Sequence, residues 1–300
     1  MVDKDIKVEI MVDEKEKKHS FIKKYWLNII LLFATILSTL FAGAFQETGK
    51  FVDSVRNLGL GLPFSFSLII ILLSHELGHY FASRYHNVPA SLPYFLPVPH
   101  PLVGTFGAFI KMKGKIRDRN SLMDLGAAGP FAGMIVAIPI LIIGINHSQV
   151  VPLSEVVGKQ LWPTLGASIL FRSIVYALKG YIPGDMGLML HPMAYAAWIG
   201  LWVTSINLIP IGQLDGGHIL YALLRKKSIW VSRVVFILIL LMGLLWMGWL
   251  FWGFFTAVVI RFHHPPPLDD EKPLDRKRKI VGVLSIILLV ITFLPTPFFE

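Results

Sequence analysis

Several stretches of this chain stay apolar for close to the ~20 residues that carry a helix across the ~30 Å hydrocarbon core of a bilayer. They lie at about 25–45, 62–81, 122–145, 194–209 and 280–294, with a longer run at 231–260. Only 16% of residues are charged and 54% are hydrophobic, whereas ordinary soluble domains carry about 25% charge. A soluble chain of 300 residues with this balance could not cover its own surface with polar groups. A bilayer removes that difficulty. The expected fold is an all-α polytopic membrane protein with about six to seven transmembrane helices, multi-pass in the lipid bilayer of the cell membrane.

Charge sets the expected orientation. Lys15, Lys17, Lys18, Lys23 and Lys24 precede the first span, Lys111, Lys113, Lys115, Arg117 and Arg119 sit between the second and third, and Arg225, Lys226 and Lys227 follow the fourth. Positive loops stay inside, so the N-terminus and these loops are expected to be cytoplasmic. The same rule accounts for the net charge of +9 without a nucleic-acid partner. Residues 1–24, dense in Lys, Asp and Glu, read as a disordered solvated tail. Residues 25–300 then form the integral domain. The first apolar run is too long, and its leading tail too extended, for a signal peptide, so a retained helix is expected. One long helix over 231–260 would place the basic stretch 261–279 outside, so a tight pair of helices breaking near Gly243 or Gly248 is preferred. Residues 146–190 read as an external segment with an interfacial amphipathic helix.

Two local patterns depart from plain helix. Residues 104–112 alternate in type as a strand does, which fits a short membrane-associated β-hairpin dipping into a water-filled cavity. Gly129 and Gly133 form a small-xxx-small pair that lets two helices approach closely.

The chemistry begins at His75-Glu76-Leu77-Gly78-His79, a His-Glu-x-x-His pattern at the end of the second span. On a helix, positions i and i+4 share a face, so both imidazoles can reach one metal ion. Glu76 can then take a proton from water acidified by that ion without itself being a ligand. Ionisable groups are costly inside a membrane unless a metal or a cavity compensates; the plainer alternative is that these residues cap the helix at the interface. A catalytic zinc needs a third protein ligand and one open position. The chain has no cysteine. Asp215 is the candidate, in Asn207-Leu-Ile-Pro210-Ile-Gly-Gln-Leu214-Asp215-Gly216-Gly217-His218. Topology brings that block to the depth of His79, Pro210 ends or kinks its helix, and Gly216 and Gly217 relax the backbone around the aspartate. Taken alone, Asp215-Gly216 would read as an ordinary turn.

The pairing of His-Glu-x-x-His with Asn-x-x-Pro-x-x-x-Leu-Asp-Gly resembles the site-2 protease family of intramembrane zinc metalloproteases. Residues 104–110, 127–133 and 191–220 resemble the same family, and the likeness covers about 65–295. The resemblance implies Zn2+ held by His75, His79 and Asp215, with Glu76 as general base. It also implies that Asn207 orients substrate or stabilises the oxyanion, and that a hairpin including Gly104, Thr105, Phe106 and Gly107 holds substrate. Its implied partner is a membrane protein with a transmembrane helix, cut within or near the bilayer in regulated intramembrane proteolysis. The physics agrees: a helix must unwind before its carbonyls can react, and a strand edge accepts the unwound segment. Many members of that family carry a PDZ domain or CBS domains; neither is expected within these residues.

Other readings stay open. A transporter could use the His/Glu/Asp cluster for ion coupling, though no internal repeat is visible. A prenyl-protein-type membrane metalloprotease shares His-Glu-x-x-His but resembles a pattern with a later glutamate ligand. An inactive relative acting as a scaffold is a further reading. Among the other histidines, His218 is a candidate neighbour of the metal, and His263-His264 reads as loop surface. The sequence sets no oligomeric state.

Overall fold

The computed structural model describes residues 2–50, 54–155, 164–260, 262 and 264–299, with side chains from residue 25 onward and not at 259. Chain order is α1 (Val2–Thr48), α2 (Val55–Gly59), α3 (Leu62–Tyr85), β1 (Tyr94–Pro97), β2 (Thr105–Phe109), α4 (Arg119–His147), β3 (Gln149–Pro152) and β4 (Thr164–Leu165). Then follow α5 (Ile169–Lys179), β5 (Met186–Met189), α6 (Pro192–Asn207), α7 (Asp215–Leu224), α8 (Ser228–Met242), α9 (Gly248–Phe255), α10 (Arg276–Thr292) and β6 (Phe298–Phe299). Helix α1 continues through the segment read as a solvated tail; the side chains of residues 1–24 lie outside the described ones.

Among the described residues, three helical stretches are long and apolar enough to cross a membrane: Tyr25–Thr48, Leu62–Tyr85 and Arg119–His147. The six to seven spans expected from hydropathy are not reached by that measure among the described residues. The other apolar helices are shorter: α6 has 16 residues, α8 15 and α10 17, with a break at Leu208–Leu214 around Pro210 after α6 and a second between Met242 and Gly248 after α8. In that second break α8 and α9 fold back on each other, and a Cβ on Gly253 would meet Leu240 at 2.6 Å. The chain beyond α9 returns to the side of the basic loop, where Leu268 N–H donates to Ile116 O and Asp269 N–H to Arg117 O.

The core is the α3–α4 pair with α6 and α7 against it. Gly78 lets α3 press on α4, since a Cβ there would lie 2.4 Å from the Ala128 carbonyl oxygen. Leu68, Leu122, Ala137, Leu141 and Ala197 are wholly buried in this cluster. Helix α4 starts sharply because Asp118 accepts from Ser121 N–H at 2.8 Å and from its hydroxyl at 2.9 Å, a side-chain N-cap. Arg119, the first residue of α4, reaches across to the end of α7, donating to Ala222 O from Nε at 2.9 Å and from Nη2 at 2.6 Å.

The expected hairpin is present: β1 and β2 pair antiparallel, Tyr94 with Phe109 and Phe95 with Ala108, with a bulge before Pro97 pairs with Thr105. Two further pairings carried no sequence signal. Strand β3 pairs with β5, closing off the segment that holds α5, and β4 pairs with β6, bringing residues near the end of the chain onto the same side. Within 146–190, α5 is the amphipathic helix; Ile169 and Tyr176 are exposed on it while Phe171 is buried.

Candidate metal centre

His75 and His79 sit one turn apart on α3, both buried, with ring centroids 4.9 Å apart. Helix α4 makes room for them. A Cβ on Gly129 would fall 2.0 Å from His79 Nε2, and one on Gly133 would fall 3.3 Å from His75 Cβ. The small-residue pair read from sequence as a helix-packing seam is therefore also a notch for the two imidazoles. His79 Nδ1 lies 2.7 Å from Leu125 O. A carbonyl can only accept, so Nδ1 carries the proton in the neutral ring and Nε2 presents its lone pair inward.

Asp215 arrives from the other side as the first residue of α7. Pro210 and the residues after it form a turn so tight that helix and turn share space. A Cβ on Gly216 would lie 1.9 Å from Leu208 O, and one on Gly217 2.3 Å from Gly212 O. Neither glycine has a positive φ; the one residue of the turn that does is Gly212, at 55°. The glycines are thus needed for the absence of a side chain, not to relax the backbone as the sequence reading held.

The three groups meet. His75 Nε2 lies 3.2 Å from Asp215 Oδ2, His79 Nε2 lies 3.2 Å from Asp215 Oδ1, and the two Nε2 atoms are 3.2 Å apart. Ligands of a tetrahedral ion bonded at about 2.0 Å stand roughly 3.3 Å from each other. Asp215 Oδ2 is buried without a hydrogen-bond partner, an arrangement that is costly unless a cation accepts it. Two imidazoles and a carboxylate, with one position left open, is a donor set that suits zinc. Among the described residues, His75, His79 and Asp215 are the group of three able to hold a metal ion.

The other site candidates fall into two groups. Glu76 is buried beside the ligands, its carboxyl facing the Ile110 backbone just past β2. Asn207 ends α6, with Nδ2 3.4 Å from His75 Nε2. The hairpin residues are divided. Gly104, at φ 75°, packs against α1, where a Cβ would lie 2.6 Å from Ser38 O. Thr105 is buried and donates to Leu96 O at 2.8 Å while accepting from Gly107 N–H at 3.0 Å. Both hold the hairpin's own shape. Phe106 is 80% exposed and Gly107 has open space above its Cα.

One residue departs from the sequence reading. His264, taken as loop surface, is buried. Its Nε2 lies 2.6 Å from His218 Nδ1, and its ring stacks on Tyr221. His263 lies outside the described residues. Nothing local in the sequence marks His264, because its burial depends on the polar segment after α9 folding back over α7.

Comparison with known proteins agrees with this geometry. The model of Peptidase family M50 matches residues 63–246, which include every ligand candidate. The chain is 31% identical over 240 residues to the probable zinc metalloprotease EGY1, chloroplastic, of Arabidopsis thaliana, covering 78% of this chain and 43% of that protein. It is 30% identical over 258 residues to EGY2 of the same plant, covering 82% and 44%. To EGY3 of Oryza sativa subsp. indica it is 24% identical over 291 residues, covering 90% and 48%. The chain thus spans less than half the length of these relatives. On the matched family model, and on the paired motifs that meet at His75, His79 and Asp215, the chain belongs to peptidase family M50, the site-2 protease type of metalloprotease.

Proposed function

We propose that the chain is an intramembrane zinc metalloendopeptidase that hydrolyses peptide bonds within or near transmembrane segments of other membrane proteins. The observation that carries the reading is the 3.2 Å triangle of His75, His79 and Asp215 with Glu76 beside it. Zinc, when bound there, supplies the Lewis acidity that makes water nucleophilic near neutral pH. In this reading Glu76 takes the proton from the attacking water and returns it to the leaving amine. The Asn207 side-chain amide donates to the developing oxyanion.

The unwound substrate adds to the hairpin. Each strand of a two-stranded sheet keeps one open edge, and among the described residues β1 and β2 pair only with each other. Strand addition there supplies backbone partners that lipid cannot. The approach of the Glu76 carboxyl to the Ile110 backbone, one residue past β2, supports this reading. By the positive-inside rule the basic face, with residues 111–119 and 225–227, is assigned to the cytoplasm of a cell; the relatives named above are called chloroplastic.

The test is a matched pair of variants on a model transmembrane substrate. Glu76→Gln is expected to keep zinc and lose cleavage. Asp215→Ala is expected to lose zinc. Cleavage by neither wild type nor variant, with zinc incidental, would return the cluster to the ion-coupling reading; unchanged zinc in Asp215→Ala would mean that the third ligand is misassigned.

A further inference from the structure

An open cavity of about 430 Å3 lies between α3, α4 and α10, and His75, His79 and Asp215 are not among the residues that line it. Its walls are apolar: Phe81 from α3, Phe131 from α4, Val281 from α10, with Ala127 and Ala128 as the floor. One end is polar. His86 Nε2 lies 2.8 Å from Asp124 Oδ2, and Arg278 grips the same carboxylate with Nε at 2.9 Å and Nη2 at 2.5 Å. These groups stand at the C-terminal cap of α3, in the first turns of α4 and in the first turn of α10. They therefore share one depth, at the basic side of the membrane-spanning core.

The charge around that end is cationic. Arg84 is exposed three residues along from Phe81, and Lys277 is exposed four residues before Val281. Helical residues spaced by three or four share a face, so each cation stands one turn from a wall residue, on the side away from the bilayer centre. Exposed Arg276 and Lys279 flank Lys277. Arg278 is shared by Asp124 and Asp275, so these three groups together carry one negative charge, which the exposed Arg84, Arg276, Lys277 and Lys279 outweigh. A slot that is apolar along its length and basic at its interfacial end matches an acidic glycerophospholipid: acyl chain against Phe81, Phe131 and Val281, phosphate beside Arg84 and Lys277. Basic pockets between membrane helices recognise such headgroups.

We propose that this α3–α4–α10 cavity is a binding site for one acidic phospholipid molecule. The site is independent of peptide hydrolysis and stands whether or not the chain proves to be a protease. The lipid bridges the His79-bearing helix to α10, filling a cleft that protein side chains leave open.

The experiment uses the full chain in detergent micelles, followed by native mass spectrometry during titration with dioleoyl phosphatidylglycerol, dioleoyl phosphatidylcholine or glycerol phosphate. One phosphatidylglycerol is expected to be retained, with affinity about tenfold above phosphatidylcholine. The surface double variant Arg84→Gln/Lys277→Gln is expected to erase that preference while keeping its zinc content and thermal unfolding temperature. Val281→Trp, which fills the slot, is expected to lose retention of both lipids. Equal retention of the two lipids by wild type, an unchanged preference in the double variant, or displacement by glycerol phosphate would each overturn the proposal.

Discussion

A Cβ on Gly129 would stand 2.0 Å from His79 Nε2, the atom that His79 presents to its fellow ligands. The pairing couples the composition of α4 to the chemistry of α3. Real side-chain carbons never approach that closely, so the imidazole has to move if Gly129 gains a methyl group.

Gly129→Ala is therefore expected to lower zinc affinity by about tenfold or more, and overpacking of this kind costs about 1–3 kcal/mol of stability. Gly133→Ala, where the nearest atom is His75 Cβ at 3.3 Å, should be milder in both respects. Metal analysis after dialysis against a graded chelator distinguishes the two. Equal zinc retention by Gly129→Ala and wild type would show that the notch does not control the ligand.

Gly216→Ala should be severe for a different reason. Its methyl group would sit 1.9 Å from Leu208 O, a backbone atom that cannot swing aside. The turn that presents Asp215 would have to open, with loss of both thermal stability and zinc. Gly184→Ala, with open space around it, is the control and should leave both unchanged. Thermal unfolding in detergent reads the difference.

The Asp118 carboxyl gives a pH prediction. Burial pushes it upward, but the Lys272 ammonium at 2.5 Å and the Ser121 N–H and hydroxyl outweigh burial and hold it down to about 2, from an ordinary 3.8. A carboxyl depressed in the folded state adds stability above its unfolded pKa and loses it as pH falls through the folded value. This contribution should be complete at pH 5 and should fade between about pH 4 and 2. Asp118→Asn should lower the unfolding temperature at pH 7 and narrow the gap to wild type as pH drops through that window. A gap that stays constant with pH would assign the loss to the helix cap alone.

His264→Ala separates a structural histidine from a metal-related one. The buried contact of His264 with His218 and Tyr221 predicts a loss of about 1–3 kcal/mol, the penalty for stranding a buried polar partner. Zinc content should be unchanged. Lost zinc at unchanged stability would instead make the His218–His264 pair part of the metal site.

The legible and illegible parts of the site divide by range. His75, Glu76 and His79 could be read directly because the i, i+4 relation is local to one helix. Asp215 was legible through topology, since alternating spans return the chain to the same side. The break in 231–260 followed from charge. What stayed hidden depends on contacts between distant segments. Gly129 reads as a packing residue until α3 is laid against it, and His264 reads as surface until the segment after α9 folds over α7. Strands β3 to β6 are two to four residues long, too short for any period to show. The span count differs because hydropathy marks apolar runs but not helix length: α6, α8 and α10 hold 16, 15 and 17 residues.

Arg119 gives α7 a second fixed point. The helix that offers Asp215 at its start has its final carbonyls held by a guanidinium from α4, the same helix that seats His79. The first turn of that helix packs on the same neighbour, where a Cβ on Gly126 of α4 would lie 2.9 Å from Asp215 O. With both tips against α4, the carboxylate and the notch that receives the imidazole belong to one packed unit, so a displacement of α4 would carry them together.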